Sequence, residues 1–264
     1  MEQTFRTLEK SNPRYGFKNL QFVTVKSTHL KGRGDICFYK PEKCPADTPV
    51  VILLHGVYGS AWSWPLCSGV HEQAERAILA GQLAPMILAM PSDGLWGDGS
   101  GYVPHRDQDF EQWIVQDVPQ AAREAYPDAV SAESRFFIAG LSMGGYGALR
   151  IGSSYPHIFS AFAGLSSITT IDEFSLFVEE ELSAYRWAAP HDLLASFLAN
   201  KEKLRPFRFD CGRGDLLLNF NRKLHSDLEE AGIYHTYREY TGEHNWDYWK
   251  NNILETLLFF NLQP

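Results

Sequence analysis

Apolar runs of strand length alternate with longer segments of helical spacing along most of the chain. Val50–Leu54 is apolar throughout, which is typical of a strand covered on both faces of a sheet. The predicted strands are Phe22–Val25, Ile36–Tyr39, Val50–Leu54, Met86–Met90, Arg135–Ala139, Phe159–Leu165, Phe207–Asp210 and Tyr234–Tyr240. The predicted helices are Val70–Ala80, Asp109–Tyr126 with a kink at Pro119, a helix from Ser142, Asp172–Ser183, His191–Asn200, Leu216–Ala231 and Trp246–Asn261.

This order of strands and helices predicts an α/β fold with a mostly parallel central sheet of about eight strands and helices on both faces. The sequence shows no linker or internal repeat, so residues 1–264 are predicted to form one domain. An insertion at about residues 167–204 is predicted to form a short cap. In such folds, functional sites form at the carboxyl ends of the strands.

Net charge and cysteine content limit the binding partners and metal sites that we expect. The net charge of −8 disfavours a general affinity for nucleic acid or an anionic membrane. The N-terminal residues contain no apolar stretch typical of a signal peptide, so a cytoplasmic location is expected. The four cysteines form no C-x-x-C pair, so we expect free thiols and no metal site; export would instead allow a Cys37–Cys44 bridge. The sequence leaves open whether the chain forms a homo-oligomer.

A G-x-S-x-G motif at 140–144 marks the candidate nucleophile, Ser142. The motif follows a predicted strand and opens a predicted helix, which is the context of a sharp turn that exposes a serine Oγ. Each glycine inside a helix costs about 0.5–1 kcal/mol relative to alanine. We therefore expect Gly144, Gly145 and Gly147 to allow close contact of this helix with the sheet and its neighbours.

A serine hydroxyl needs a base, and in this arrangement the acid and then the histidine follow the serine along the chain. Asp215 lies in a glycine-flanked loop after a predicted strand, whereas Asp210 lies inside that strand and is predicted to be structural. His244 lies beyond the last predicted strand. We therefore predict Asp215 as the acid and His244 as the base.

Acyl transfer also requires hydrogen-bond donors for the oxyanion. The backbone N–H of Met143 is one candidate, and that of Val57, in the loop after the third predicted strand, is the other. Aromatic loop residues such as Trp62 and Trp64 are compatible with either a pocket wall or the core. The predicted substrate contacts are Tyr58, Trp96, His105, Trp187 and Trp246.

Five segments give the chain a resemblance to the esterase D-type family of α/β hydrolases, and most closely to its tributyrin-esterase branch. These segments are LLHGVYGS, MPSDG, AGLSMGGYGALR with SSYPHIFSAFAGLS after it, CGRGDLL and EAGIYHTYREYTGEHNWDYW. The resemblance implies the α/β-hydrolase fold, with Ser142 as nucleophile, Asp215 as acid and His244 as base. It also implies that Val57 and Met143 supply the oxyanion donors.

We therefore expect a serine carboxylesterase that hydrolyses short-acyl or aryl esters of small molecules without a cofactor. An acyltransferase would use the same residues with a sugar or lipid acceptor in place of water. A feruloyl or acetyl esterase acting on carbohydrate esters is a further alternative. A non-catalytic binding protein with this fold is the alternative from another class.

Overall fold

The computed structural model describes residues 5–186 and 192–263, through which a single mixed β-sheet of nine strands runs. The strands are β1 (Phe5–Lys10), β2 (Leu20–Ser27), β3 (Gly32–Tyr39), β4 (Val50–Leu54), β5 (Ile87–Pro91), β6 (Phe136–Leu141), β7 (Phe159–Leu165), β8 (Phe207–Gly212) and β9 (Thr236–Tyr240). β1 was not predicted. Its sequence, FRTLEK, is mostly polar because it lies at the edge of the sheet.

The strand order β1-β2-β3-β5-β4-β6-β7-β8-β9 confirms the mostly parallel sheet. β1, β2, β3 and β5 pair antiparallel, and every pair from β5 across to β9 is parallel. β4 and β6 are neighbours near the middle, with Leu54 beside Gly140 at their carboxyl ends. The loops after these two strands therefore lie side by side, which brings two of the predicted site segments together.

Helices cover both faces of the sheet. They are α1 (Val70–Leu79), α2 (Phe110–Gln112), α3 (Val118–Ala125), α4 (Met143–Ser154), α5 (Leu193–Ala199), α6 (Leu218–Glu230) and α7 (Trp246–Asn261). One apolar cluster contains buried residues of α1 and α7, and the other contains buried residues of α3, α4, α5 and α6. Two cores separated by the sheet explain why β4 is apolar on both faces.

The predicted helix at 109–126 contains an irregular turn. A π-helical turn, Trp113–Asp117, joins α2 to α3 immediately before Pro119. Proline lacks the N–H that a regular α-helical turn requires, and its ring crowds the preceding turn. The turn places the Trp113 ring so that its Nε1–H donates to the Ser92 carbonyl over 2.8 Å. The irregularity therefore connects this helix to the segment after β5.

The cap segment, residues 167–204, is less helical than predicted. In place of a helix over Asp172–Ser183, the structure has two 3₁₀ turns, Ile171–Leu176 and Leu182–Arg186. Between them the Glu179 N–H leaves the helical pattern and donates to an Asp98 carboxylate oxygen over 2.9 Å. The second predicted helix, His191–Asn200, is shorter as α5, and its first residue lies outside the described residues.

Candidate active site

Ser142 lies at the sharp turn between β6 and α4. Its φ of 54° and ψ of −119° are rare for a residue with a side chain. Its N–H donates to the Leu165 carbonyl over 3.0 Å, which fixes the turn against β7. A Cβ at Gly140 would collide with the Gly144 backbone, so the turn closes only because the residue at 140 is glycine. Ser142 itself is 2% exposed and lines a cavity.

The predicted glycine contacts in α4 are confirmed. A Cβ at Gly144 would lie 2.5 Å from the His55 carbonyl oxygen and would also meet the Leu54 carbonyl. A Cβ at Gly147 would lie 2.7 Å from the Tyr102 ring. All of α4 from Met143 to Ser153 is buried. The glycines thus weaken the isolated helix but allow its first turn to rest directly on the end of β4.

The structure brings Ser142, His244 and Asp215 into one hydrogen-bonded row. His244 Nε2 lies 2.9 Å from Ser142 Oγ, and His244 Nδ1 lies 3.0 Å from Asp215 Oδ2 and 3.1 Å from Oδ1. A carboxylate can only accept a hydrogen bond, so Nδ1–H donates to Asp215, and Nε2 of the neutral ring presents its lone pair to the Ser142 hydroxyl. This arrangement can remove a proton from the serine and hold the imidazolium that results.

Two loops at the carboxyl ends of strands hold the acid and the base. Asp215 follows β8, its side chain is fully buried, and its Oδ1 also accepts the Leu217 N–H over 2.8 Å. His244 follows β9, and its side chain is 12% exposed. Its ring packs against Trp249 at 5.1 Å in an edge geometry and against Phe177 at 5.4 Å. The imidazole is therefore fixed by two aromatic contacts as well as by its hydrogen bonds.

The loop after β4 passes directly over the serine. A Cβ at Gly56 would lie 2.9 Å from Leu141 and 3.3 Å from Ser142 Cβ, so glycine permits this approach. Among the described residues, neither the Val57 N–H nor the Met143 N–H has a hydrogen-bond acceptor. Val57 lines the cavity together with Ser142. The two amides that the sequence singled out are thus both unpartnered beside the serine turn.

His55 is buried and neutral, and it supports this loop. Its Nδ1 lies 2.6 Å from the Gly56 carbonyl, and its Nε2 accepts the Asp93 N–H over 3.1 Å. Nδ1 therefore carries the proton. Burial lowers the pKa of His55 and so favours this neutral form. The Tyr102 hydroxyl donates to the His55 carbonyl over 3.0 Å, which holds the loop from its other side.

The serine, the histidine and the loop after β4 enclose a cavity of about 420 Å³. Most of its wall is apolar or aromatic: Val57, Tyr58, Trp62, Cys67, Leu141, Phe177, Trp246 and Trp249. Of the predicted substrate contacts, Tyr58 and Trp246 are therefore at the cavity. Phe177 and Trp249 were missed. Trp249 follows Trp246 by three residues in α7, so helical spacing places both on one face.

Trp96 and His105 do not line this cavity. They pack against each other at 4.4 Å and line a separate cavity of about 430 Å³ with the Arg106–Gln108 turn and the cap residues Ser183 and Ala184. The Ser100 amide and hydroxyl bond back to Asp93, which closes residues 93–100 into a compact loop, and within it the Trp96 ring packs against His105 and Tyr185. Trp187 lies outside the described residues.

All four cysteines, Cys37, Cys44, Cys67 and Cys211, are free in the structure. Among residues 5–186 and 192–263, no group of His, Cys, Asp or Glu side chains is arranged to hold a metal ion. In the same part of the chain, no helix has both the length and the apolar character to cross a membrane.

Comparison with known sequences places this site in a family. The family model described as "Esterase: Putative esterase" matches residues 27–260, which is most of the chain and includes Ser142, Asp215 and His244. The chain belongs to this esterase family. The protein is accordingly an esterase with the α/β-hydrolase fold, as its sequence predicted.

Individual relatives of this esterase are similar over most of its length. It is 28% identical over 221 residues to an acetyl esterase of Caldicellulosiruptor saccharolyticus, a match that covers 76% of this chain and 79% of that protein. A solved ferulic acid esterase has a TM-score of 0.71 and 22% identity, over 97% of this chain and 98% of the other. An S-formylglutathione hydrolase of Staphylococcus aureus has a TM-score of 0.75 and 17% identity, over 91% and 97%. These two structures share the fold.

Proposed function

We propose that this esterase hydrolyses small carboxylic esters through an acyl-enzyme formed on Ser142. The observation that carries the proposal is the row of hydrogen bonds from Ser142 Oγ to His244 Nε2, at 2.9 Å, and from His244 Nδ1 to Asp215, at 3.0 Å. Distances in this range allow a proton to pass from the hydroxyl to the imidazole as the serine attacks. Asp215 stabilises the imidazolium without taking its proton.

The reaction has two halves of the same form. Ser142 Oγ attacks the ester carbonyl while His244 takes its proton, and the tetrahedral intermediate then expels the alcohol, which receives that proton from His244. In the second half His244 takes a proton from water, the hydroxide oxygen attacks the acyl carbonyl, and Ser142 leaves with the proton returned. The products are the carboxylic acid and the alcohol.

The N–H groups of Val57 and Met143 are proposed to stabilise the negative oxygen of both intermediates. Both are unpartnered among the described residues, and the Gly56 backbone lies against Ser142. Donors that are already oriented need no reorganisation when charge develops on the carbonyl oxygen. The buried neutral His55 supports this role, because its hydrogen bonds to the Gly56 carbonyl and the Asp93 N–H join the start of this loop to the loop after β5.

The cavity supports a small ester, with an aromatic acyl group as the second candidate. A volume of about 420 Å³ is near the lower end of the usual range for small-molecule sites. Trp62, Trp246, Trp249 and Phe177 offer flat apolar surfaces to an acyl or alcohol group. A feruloyl or acetyl ester fits this description, and both activities occur among the named relatives.

The test is turnover of p-nitrophenyl acetate, butyrate and octanoate, and of methyl ferulate, by wild type and Ser142→Ala. The proposal expects hydrolysis of at least the short esters and a loss of roughly a thousandfold or more in the variant. Retained activity in a folded Ser142→Ala protein contradicts it. Product analysis with added methanol or glycerol distinguishes hydrolysis from acyl transfer. A transferase would form the methyl or glyceryl ester in preference to the free acid.

We also propose a cytoplasmic location and no nucleic-acid or membrane partner. The four free thiols support a reducing compartment, and the net charge of −8 disfavours binding to polyanions. Fractionation of native cells with an antibody tests the location. A gel-shift assay and vesicle sedimentation test the two partner classes, and sedimentation velocity gives the oligomeric state.

A further inference from the structure

Tyr58 connects three loops at the mouth of the cavity. It follows Val57, its backbone is in the left-handed region at φ 60°, and its N–H donates to the Asp98 carbonyl over 2.8 Å. Its hydroxyl donates to the Phe177 carbonyl in the cap segment. One residue thereby links the loop after β4, the loop after β5 and the cap.

Asp98 makes a second connection between the same segments. Its carboxylate accepts the Glu179 N–H over 2.9 Å, and its own N–H donates to Glu180 Oε1 over 3.0 Å. Asp98 thus supplies one acceptor and one donor, while on the cap side Glu179 supplies the donor and Glu180 the acceptor. Together with the Tyr58 hydroxyl they hold residues 177–180 of the cap; we call these three hydrogen bonds the clasp.

The clasp lies beside the Phe177 side chain, which forms part of the cavity wall. Phe177 is the cap residue that lines the cavity, and its ring is 5.4 Å from that of His244 with 30° between the planes. Phe174 is buried in the core, and Phe177 and Val178 pack against it, but residues 177–181 form neither helix nor strand. Besides the clasp, the Phe177 and Val178 N–H groups donate to the Phe174 carbonyl over 2.8 and 3.0 Å, and Phe177 packs against the core. The clasp adds the hydrogen bonds that join residues 177–180 to the loops after β4 and β5.

We propose that Tyr58 is a positioning residue that selects for ester size, because its hydroxyl holds Phe177 over His244 and so fixes one wall of the cavity. The inference rests on the proposed function. With the clasp intact, the wall limits the group that reaches Ser142 and restricts the imidazole to the orientation seen here. When the hydroxyl is removed, residues 177–180 move outward more often, and larger esters enter.

The test compares Tyr58→Phe with wild type on p-nitrophenyl acetate and p-nitrophenyl benzoate. Tyr58→Phe keeps the aromatic wall and loses one hydrogen bond, so the ratio of kcat/KM for acetate to that for benzoate should fall about three- to tenfold. Most of the change in this ratio should come from a lower KM for the benzoate ester. A decrease in kcat for the acetate ester should contribute less. Tyr234→Phe is the matched control, because Tyr234 is 92% exposed and far from the cavity in the fold; it should leave the ratio unchanged.

Two further measurements test whether the Tyr58 hydroxyl acts through Phe177. Amide hydrogen exchange over residues 177–180 should be about three- to tenfold faster in Tyr58→Phe and in Asp98→Ala, and unchanged in Tyr234→Phe. Phe177→Ala should lower the acetate-to-benzoate ratio by itself, and adding Tyr58→Phe to it should change the ratio no further. Equal effects of Tyr58→Phe on both esters, or unchanged exchange in that variant, would overturn the proposal.

Failure of the proposed function gives a different result. If Ser142→Ala hydrolyses these esters as fast as wild type, Ser142 is not the nucleophile, and the proposed effect on ester selection fails with it. Hydrogen exchange in Ser142→Ala carrying Tyr58→Phe still reports whether the hydroxyl holds the cap. If amides 177–180 exchanged no faster in that protein than in Ser142→Ala alone, the Tyr58 hydroxyl would not hold the cap segment.

Discussion

Gly144→Ala tests how tightly the nucleophile turn rests on the strand that leads to the oxyanion loop. The added methyl group would lie 2.5 Å from the His55 carbonyl oxygen and would also meet the Leu54 carbonyl. A carbon and an oxygen in contact lie about 3.3 Å apart or more. The start of α4 must therefore move away from the end of β4 by about 0.8 Å, because both obstacles are backbone atoms.

Such a shift has a larger effect on activity than on stability. Overpacking costs typically about 1–3 kcal/mol, and alanine regains about 1 kcal/mol of helix propensity, so the net destabilisation is about 0–2 kcal/mol. In a chain of this size that lowers Tm by up to about 8 °C. A misplacement near 1 Å between the Ser142 turn and the Val57 amide should reduce kcat/KM about a hundredfold.

The assay measures kcat/KM for p-nitrophenyl acetate beside thermal unfolding, with Gly32→Ala as the matched control. Gly32 has no positive φ, and its nearest neighbour to an added Cβ is an oxygen at 3.5 Å, so that variant should keep both activity and Tm. If Gly144→Ala kept kcat/KM within threefold of Gly32→Ala, the close contact would not set the geometry of the site, and the reasoning would be refuted.

Three other changes have defined outcomes. Asp215→Asn should lower kcat about 10³–10⁴-fold with the fold intact, because the amide no longer selects the required His244 tautomer, and a smaller loss in steady-state kinetics would contradict the role of Asp215. Glu111→Gln should destabilise by about 3–5 kcal/mol in urea unfolding, because it leaves the buried Arg150 guanidinium without its carboxylate; an unchanged midpoint would count against this. Burial lowers the pKa of His71 in the folded protein. As the pH falls below about 6.5, His71 therefore binds a proton in the unfolded chain before it does so in the folded one, and the free energy of unfolding decreases. His71→Leu should show a shallower fall between pH 7 and 5, and an equal slope would refute the assignment.

The parts of the site that the sequence predicted are those with a local signature. Ser142 is marked by glycines that only a tight strand-to-helix turn requires, and a Cβ at two of them would meet backbone atoms. Asp215 and His244 each follow a strand end beside a glycine, and parallel strands bring such ends together. The strand order alone therefore predicts that Asp215 and His244 lie close together.

No comparable local sequence pattern marks the residues of the cavity wall. Trp96 and Trp62 are both loop tryptophans after strands, yet of the two only Trp62 lines the cavity with Ser142. The Trp96 ring packs instead against His105 and Tyr185, which spacing along the chain does not reveal. Phe177 lies in a segment whose apolar spacing favoured a helix. The competing bond from Glu179 to Asp98 is formed between residues 81 positions apart, which spacing along the chain does not report.

The most direct test of the central claim is covalent labelling of the active protein with a fluorophosphonate, followed by peptide mass mapping. The account predicts a single phosphonyl adduct on Ser142, formed in step with the loss of ester hydrolysis, and no adduct in Ser142→Ala. It also predicts much slower labelling of folded His244→Ala, because the hydroxyl then lacks its base. Loss of activity with the adduct on another residue, or full hydrolysis by a protein that is labelled at Ser142, would contradict the account.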